Sequence, residues 1–393
     1  MDVLVVVLIC LSASFIVKEI FKKFNLPEAI GQIVAGMILG LPFISKFIFD
    51  YSILSVVDFL SEIGIIFLLF LAGIHIDFKK LKETTKDATL IAMFSAAVPF
   101  VLGFAFIKLF GYSNIVALIF GIALSVTAEG TKTKVLMDLK ALNTKLGTIM
   151  ISAGAIDDII ELFGLAIVAA LSQSTFKNLF YIPVNIIIFA ILTFLMFRLI
   201  PRIAKYIKRE TSQVNILTIM LILLLILAVI SEMLEIGYLI GALIAGFLIQ
   251  IAIKNFKGGY IKKSILSTFE ITAMSFIIPF FFVNIGLTFG FKALVLDPYL
   301  LIGTVFIAII GKILGTMAVK PFSSLSLKQL YLIGWAMNSR GAVELIIALT
   351  ALKLKLIPAE VFSMLVITSI LTTLMFPIIL QKHIKEDPKI MDR

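Results

Sequence analysis

One cysteine and one tryptophan occur in 393 residues, and only 15% of the chain is charged. A lone cysteine, Cys10, allows neither an internal disulfide nor a cysteine metal site. No phosphate-cradling loop is present, and the polar stretches between apolar runs are too short for a nucleotide-binding domain, which excludes ATP hydrolysis as the energy source. Polar surface is scarce as well. Hydrophobic residues make up 61% of the chain and the mean hydropathy is +1.15, more apolar surface than one soluble core can hide. The chain reads as an all-α integral membrane protein, because apolar runs of this length must span as helices, whereas a barrel would show short alternating segments.

The start, MDVLVVVLICLSASFIVKEIFKK, carries its basic residues after the apolar run and has no small-residue cleavage site. It reads as a first transmembrane helix and not as a removed signal peptide. Hydropathy divides the chain into about thirteen candidate spans, roughly 2 to 21, 27 to 43, 53 to 76, 88 to 110, 114 to 137, 146 to 171, 179 to 200, 213 to 233, 236 to 253, 265 to 290, 296 to 319, 328 to 352 and 358 to 381. The net charge of +10 does not point to nucleic acid, since the basic residues sit in short loops where they set orientation. With the N-terminus outside and the C-terminus cytoplasmic, only Lys46, Lys108, Lys177, Lys292, Lys353 and Lys355 fall on the outer side. Lys132, Lys134, Lys312 and Arg340 lie within spans, and the rest of the 34 basic residues fall inside.

The chain also repeats itself. IGQIVAGMILG at 30–40 aligns with IGALIAGFLIQ at 240–250, and SVTAEGT at 125–131 with MNSRGAV at 337–343, at offsets of 210 to 212. A first repeat of about 1–172, a linking helix of about 178–201 and a second repeat of about 212–383 give six spans, one span and six spans. The second repeat then enters the membrane from the opposite side, the inverted-repeat plan of secondary transporters.

Two adjacent aspartates, Asp157 and Asp158, stand midway through the apolar stretch GTIMISAGAIDDIIELFGLAIVAAL. Ionisable groups at bilayer depth are costly and mark ion or proton pathways. The two carboxyls titrate as a coupled pair, and a carboxylate that holds either a proton or a hard cation is the simplest exchanger. Neighbours on a helix point about 100° apart, so the two have different partners. Glu161 lies one turn beyond both, where lining a cavity, packing helices and binding an ion all remain open.

LIFGIALSVTAEGTKTKVLM and IGWAMNSRGAVELIIALTAL carry small and polar residues in mid-span and read as two broken helices. Their free backbone groups and opposed half-helix dipoles can ligate an ion or need neutralising. At an offset of 211 Gly130 meets Gly341, so Glu129 and Arg340 occupy equivalent positions with opposite charge, each expected to compensate the dipole ends of its own break. Lys312, alone in the middle of LIGTVFIAIIGKILGTMAV, needs a counter-charge, with Asp157 the preferred partner. Thr127 and the backbone around Glu129 are candidates to complete a cation's oxygen shell at Asp158. His75, beside Asp77 near a helix end, reads as an interfacial residue, and Trp335 as packing or anchoring.

With those residues in view, the chain resembles the monovalent cation:proton antiporter superfamily, in particular its second branch of bacterial and archaeal sodium/proton antiporters and the related potassium efflux transporters. The resemblance covers essentially the whole chain. It rests on LPEAIGQIVAGMILG, FLLFLAGIHIDF, the first broken segment followed by AIDD, IPFFFVNIGL, GKILG and SRGAVEL, in that order. It implies a homodimer, each protomer having a dimerisation domain and a six-helix core with two crossed broken helices that moves as an elevator. It further implies that Asp158 is the principal cation and proton carrier, that Asp157 pairs with Lys312, and that exchange is electrogenic. TAEGT departs from the branch, where uncharged residues stand in place of Glu129, and NSRGAVE partly resembles the first branch. The potassium efflux relatives carry a cytoplasmic nucleotide-binding domain, which is not expected here because the chain ends about a dozen residues after the last span.

The expected function is secondary Na+/H+ antiport, with Li+ as a further substrate, in the plasma membrane of a prokaryote, with no enzymatic activity and no cofactor. Potassium/proton exchange is the alternative within transport. From another class, a sodium-coupled organic-anion symporter or a channel would fit a similar repeat, but Lys312 and the aspartate pair favour antiport.

Overall fold

The computed structural model describes residues 2–24, 26–75, 85–139, 141–142, 144–172, 187–189, 191–198, 213–234, 236–254, 259–291 and 297–391. They are helical, with no strand among the described residues. The helices of the first half are α1 (Val3–Lys23), α2 (Glu28–Leu39), α3 (Pro42–Ile48), α4 (Tyr51–His75), α5 (Lys86–Leu109), α6 (Asn114–Ser125), α7 (Glu129–Asp138) and α8 (Lys145–Ser172). Those of the second are α9 (Gln213–Met233), α10 (Tyr238–Lys254), α11 (Gly259–Thr272), α12 (Ile278–Thr288), α13 (Pro298–Met317), α14 (Leu327–Ala336), α15 (Ala342–Lys353) and α16 (Ala359–Glu386).

Local chemistry sets several boundaries. Thr85, Ser113 and Asp297 each accept a backbone N–H of the first turn, opening α5, α6 and α13, and Ser326 and Gln329 close a reciprocal capping box on α14. Gly111 turns the chain between α5 and α6 at φ +81°, a conformation that a side chain disfavours. The segment 27–43, expected as one span, is bent by 81° between α2 and α3. The cause is Pro42, which holds Leu41 extended at ψ 134° and starts the next helix. Between α11 and α12 a π-helical turn, Ala273–Ile277, precedes Pro279, whose missing N–H leaves the α-helical pattern one bond short.

Among the described residues, seven helices are long and apolar enough to cross a membrane, or eight counting the bent pair α2–α3. α8 is 28 residues long and carries three acids near its middle. The halves α6, α7, α14 and α15, at 10 to 12 residues, rise about 15 to 18 Å and cannot span alone. Most of the expected linking helix at about 178–201 lies outside the described residues; residues 187–189 and 191–198 of it are helical. A count of thirteen spans therefore does not follow from the described residues, and the protein is a multi-pass, all-helical membrane protein.

The chain divides into two compact units. Unit 1, Met1–Phe21, Glu28–Ile76 and Ala169–Thr288, holds α1 to α4 and α9 to α12. In it α2 packs on α12, and α4 on α10. Glycines make both seams: a Cβ on Gly36 would strike the Val283 backbone, one on Gly286 the Ile33 and Met37 backbone, one on Gly73 the Leu243 backbone and one on Gly246 the Phe70 backbone. Close backbone approach at small residues is how helices associate where burying apolar surface gives no driving force. Gly36 and Gly246 are equivalent in the sequence repeat, so repeated residues make matching contacts here. Asn284 donates to Asp58 at 2.9 Å.

Unit 2, Lys22–Pro27, Asp77–Val168 and Phe289–Arg393, holds α5 to α8 and α13 to α16. α5 packs on α13 and α6, with Gly311 against Pro99 and Gly315 against Phe94. Ala88, Ile91, Leu146, Met150, Leu332 and Ile333 belong to its apolar core, beside which the two broken helices and the middle of α8 come together.

Candidate ion site

The breaks in unit 2 are short non-helical stretches. Val126 to Ala128, extended, separate α6 from α7, and Met337 to Gly341, a turn followed by extended backbone, separate α14 from α15. The two stretches meet. The Ala128 N–H donates to the Ser339 carbonyl at 2.7 Å, and the Ser339 hydroxyl donates to the Ala128 carbonyl at 2.9 Å. A Cβ on Gly341 would lie 2.6 Å from that of Ala128, so this crossing requires glycine. On the other side of the second break, the Arg340 N–H donates to the Thr373 hydroxyl of α16, which donates back to the Arg340 carbonyl.

A helix end buried at a crossing leaves unpaired carbonyls and a partial negative charge. At the C-terminus of α6 both are met by cations. Arg340 donates to the carbonyls of Ala123 at 3.1 Å and Leu124 at 3.0 Å, and Lys312 of α13 donates to that of Ser125. Arg340 therefore serves the opposite break, which corrects the expectation that it compensates its own. The crossing brings its guanidinium to α6, while the end of α14 is met by the Asn338 amide, which donates to the Gly334 carbonyl at 3.0 Å. Arg340 also pairs with Glu344, in the first turn of α15, at 3.1 Å, with both side chains fully buried. Glu129 stands in the first turn of α7, where a carboxylate offsets the positive helix end.

Asp157 and Asp158 project from the middle of α8 in two directions, as their 100° separation requires. Asp157 is 1% exposed, and neither carboxylate oxygen accepts a hydrogen bond. The Lys312 ammonium, 0% exposed, is 3.8 Å from Asp157 Oδ2. Lys312 is held more tightly elsewhere, by the Ser125 carbonyl and by Thr127 Oγ1 at 2.7 Å. The Thr127 hydroxyl donates to the Met337 carbonyl at 3.2 Å, and the Thr127 N–H donates to Glu161 Oε1 at 2.5 Å. Thr127 is thus committed to Lys312 and Met337 in this arrangement, and Glu161 satisfies a backbone donor left over by the break.

Asp158 is half-buried, unlike its neighbour, and the charged groups whose fields act on it are Glu129, Asp157 and Lys132. Among the described residues no three of His, Cys, Asp and Glu converge as a metal cage. A hard cation at Asp158 would take its other oxygens from hydroxyls, carbonyls or water.

Two buried, ion-paired residues beside the breaks escape the sequence reading of the site. Lys132 is 0% exposed, pairs with Glu129 at 2.6 Å and donates to Met337 Sδ at 3.7 Å. Glu344 is the partner of Arg340. Spacing was the available signal: Glu129 and Lys132 are three residues apart and Arg340 and Glu344 four, the separations at which helical side chains meet.

The sodium/hydrogen exchanger family, described as a transmembrane exchanger, matches residues 7–384. The Na(+)/H(+) antiporter of Enterococcus hirae is 29% identical over 392 residues, covering 98% of this chain and 99% of that one. The Na(+)/H(+)-K(+) antiporter GerN of Bacillus cereus is 28% identical, covering 91% of this chain and 90% of that one. The structure of the sodium proton antiporter MjNhaP1 from Methanocaldococcus jannaschii superposes with a TM-score of 0.69 at 16% identity, over 97% of this chain and all of that one, a likeness of fold.

Proposed function

The chain belongs to the sodium/hydrogen exchanger family and is a cation/proton antiporter, and from that premise we propose that it exchanges Na+, and Li+, for protons at Asp158. The observation that carries this reading is the contrast between two adjacent carboxyls. Asp158 is half-buried and reachable, whereas Asp157 is buried without a hydrogen bond beside a buried lysine. A buried ionised carboxylate lacking hydrogen bonds is costly, so Asp157 either takes a proton or draws on the Lys312 charge. Asp158 meanwhile binds a proton or a cation, never both, and exchange follows from that competition.

Two carboxyls and one lysine support an electrogenic cycle. In it Asp158 releases its proton as Na+ binds, and Asp157 exchanges a second proton against pairing with Lys312. Every buried charged side chain among the described residues lies in unit 2. That supports an elevator-type movement in which this unit carries the site as one body. Inverted repeats, homodimeric assembly, an outside N-terminus and residence in a prokaryotic plasma membrane belong to the same proposal.

Potassium/proton exchange is the second reading, favoured by the similarity to GerN, whose name includes K+. Purified protein in liposomes with an imposed pH gradient, followed by a pH-sensitive dye, separates the two. Na+ and Li+ should dissipate the gradient, and Asp158→Asn should lower the rate at least about a hundredfold, the order lost when a group acting directly in the transport step is removed. Dissipation by K+ alone would move the second reading first. Normal Na+ response in Asp158→Asn would remove Asp158 from the mechanism.

A further inference from the structure

The Glu129–Lys132 pair is not needed to explain the break. Glu129 alone offsets the positive start of α7, and Lys132 lies too early in that helix to serve its C-terminus. Burying Lys132 completely carries a desolvation cost, which its pairing with Glu129 offsets.

The pair's position gives it a use. Gly154 on α8 is the floor on which it rests, since a Cβ there would strike the Glu129 carboxylate and the Lys132 ammonium. Gly154 is one helical turn before Asp158 and shares its face. Both charges of the pair act on Asp158. The Glu129 side chain is 23% exposed while Lys132 is at 0%, so Glu129 is the more exposed member, although its Oε2, which faces the ammonium, is buried.

Resting on the assignment of Asp158 as the exchange site, we propose that Glu129 is a further cation-binding residue and that Lys132 is a tethered cation holding it in reserve. With no transported ion present, the Lys132 ammonium satisfies Glu129 and lends positive charge to Asp158. An incoming dehydrated alkali cation competes with that ammonium, draws Glu129 toward Asp158 and is held by the two carboxylates together. The pair thereby sets the cation concentration at which exchange begins: the internal ammonium must be outcompeted first. Small cations of high charge density gain most from a second carboxylate, so Li+ and Na+ are favoured over K+.

The test is the half-saturating Na+, Li+ and K+ concentration in proteoliposomes at one pH, for wild type, Lys132→Gln, Glu129→Gln, Glu129→Asp and Asp158→Asn. Lys132→Gln should lower half-saturating Na+ about tenfold without raising the maximal rate, a change of about 1.4 kcal/mol. Glu129→Gln should raise it about tenfold and should narrow the preference for Li+ and Na+ over K+. Unchanged half-saturation in both would overturn the proposal. Should Lys132→Gln fail to fold because Glu129 is stranded, Glu129→Asp decides, since it keeps both charges and withdraws the carboxylate by one methylene. A ligand so displaced raises half-saturating Na+ several-fold, whereas a mere counter-charge leaves it unmoved and overturns the proposal. Asp158→Asn separates the two layers. If it retains exchange, the site assignment itself fails; if it abolishes exchange while the pair's variants leave half-saturation untouched, only the role of the pair fails.

Discussion

Unit 1 and unit 2 each take helices from both halves of the chain, yet they bury different chemistry. Among the described residues of unit 1 the buried polar side chains are Ser14, Gln32, Ser61, Ser231 and Asn284, none of them ionisable. Unit 2 buries Lys132, Asp157, Glu161, Lys312, Arg340 and Glu344. The difference traces to the backbone. Glycines let helices touch in both units, and the bent pair α2–α3 of unit 1 buries no charged side chain, whereas unit 2 contains two helices that stop in mid-course and cross. Each stop exposes carbonyls and N–H groups that only polar or charged side chains can satisfy in a dry interior. Charge enters where the two broken helices cross.

The contrast predicts where substitutions will hurt. Arg340→Ala should have the largest effect on stability, about 3–5 kcal/mol, because it strands Glu344 and leaves the Ala123 and Leu124 carbonyls without donors. A fall in the thermal midpoint of the purified protein reads this directly, and an unchanged midpoint would mean that the broken helix needs no cationic cap. Lys312→Ala should come next. It removes the charge beside Asp157 and the donor to Thr127 and Ser125, and it should weaken the voltage dependence of Na+-driven current. Equal currents at saturating Na+ across the voltage range would defeat the pairing.

In unit 1, Gly36→Ala should cost about 1–3 kcal/mol through overpacking against Val283, with half-saturating Na+ unchanged in the protein that folds. A shifted half-saturation there would break the division of labour between the units. The smallest effect belongs to Asp58→Asn, which keeps an oxygen for the Asn284 amide and should change stability by less than about 1 kcal/mol.

Much of this was legible in the sequence, for identifiable reasons. Asp157, Asp158 and Lys312 announce themselves because charge is rare in long apolar runs, and the two breaks because TAEGT and NSRGA put small and polar residues where a lipid-facing helix has none. The bend between α2 and α3 was not anticipated, although Leu41-Pro42 is its sufficient cause. Arg340 was noticed but given the wrong end to serve. Its partners Ala123 and Leu124 act through backbone carbonyls, which leave no trace in residue identity. Lys132 was placed within a span but given no partner, and only the fold shows that it is buried against Glu129.

The claim that a proton and a cation share one carboxylate can be tested without membranes or gradients. Purified protein in weakly buffered detergent solution at pH 6.5 should acidify the medium when NaCl is added and remain silent with choline chloride, and Asp158→Asn should remain silent with both. Proton release from Asp158→Asn equal to that of the wild type would show that Na+ displaces protons from some other group, and would contradict the account at its centre.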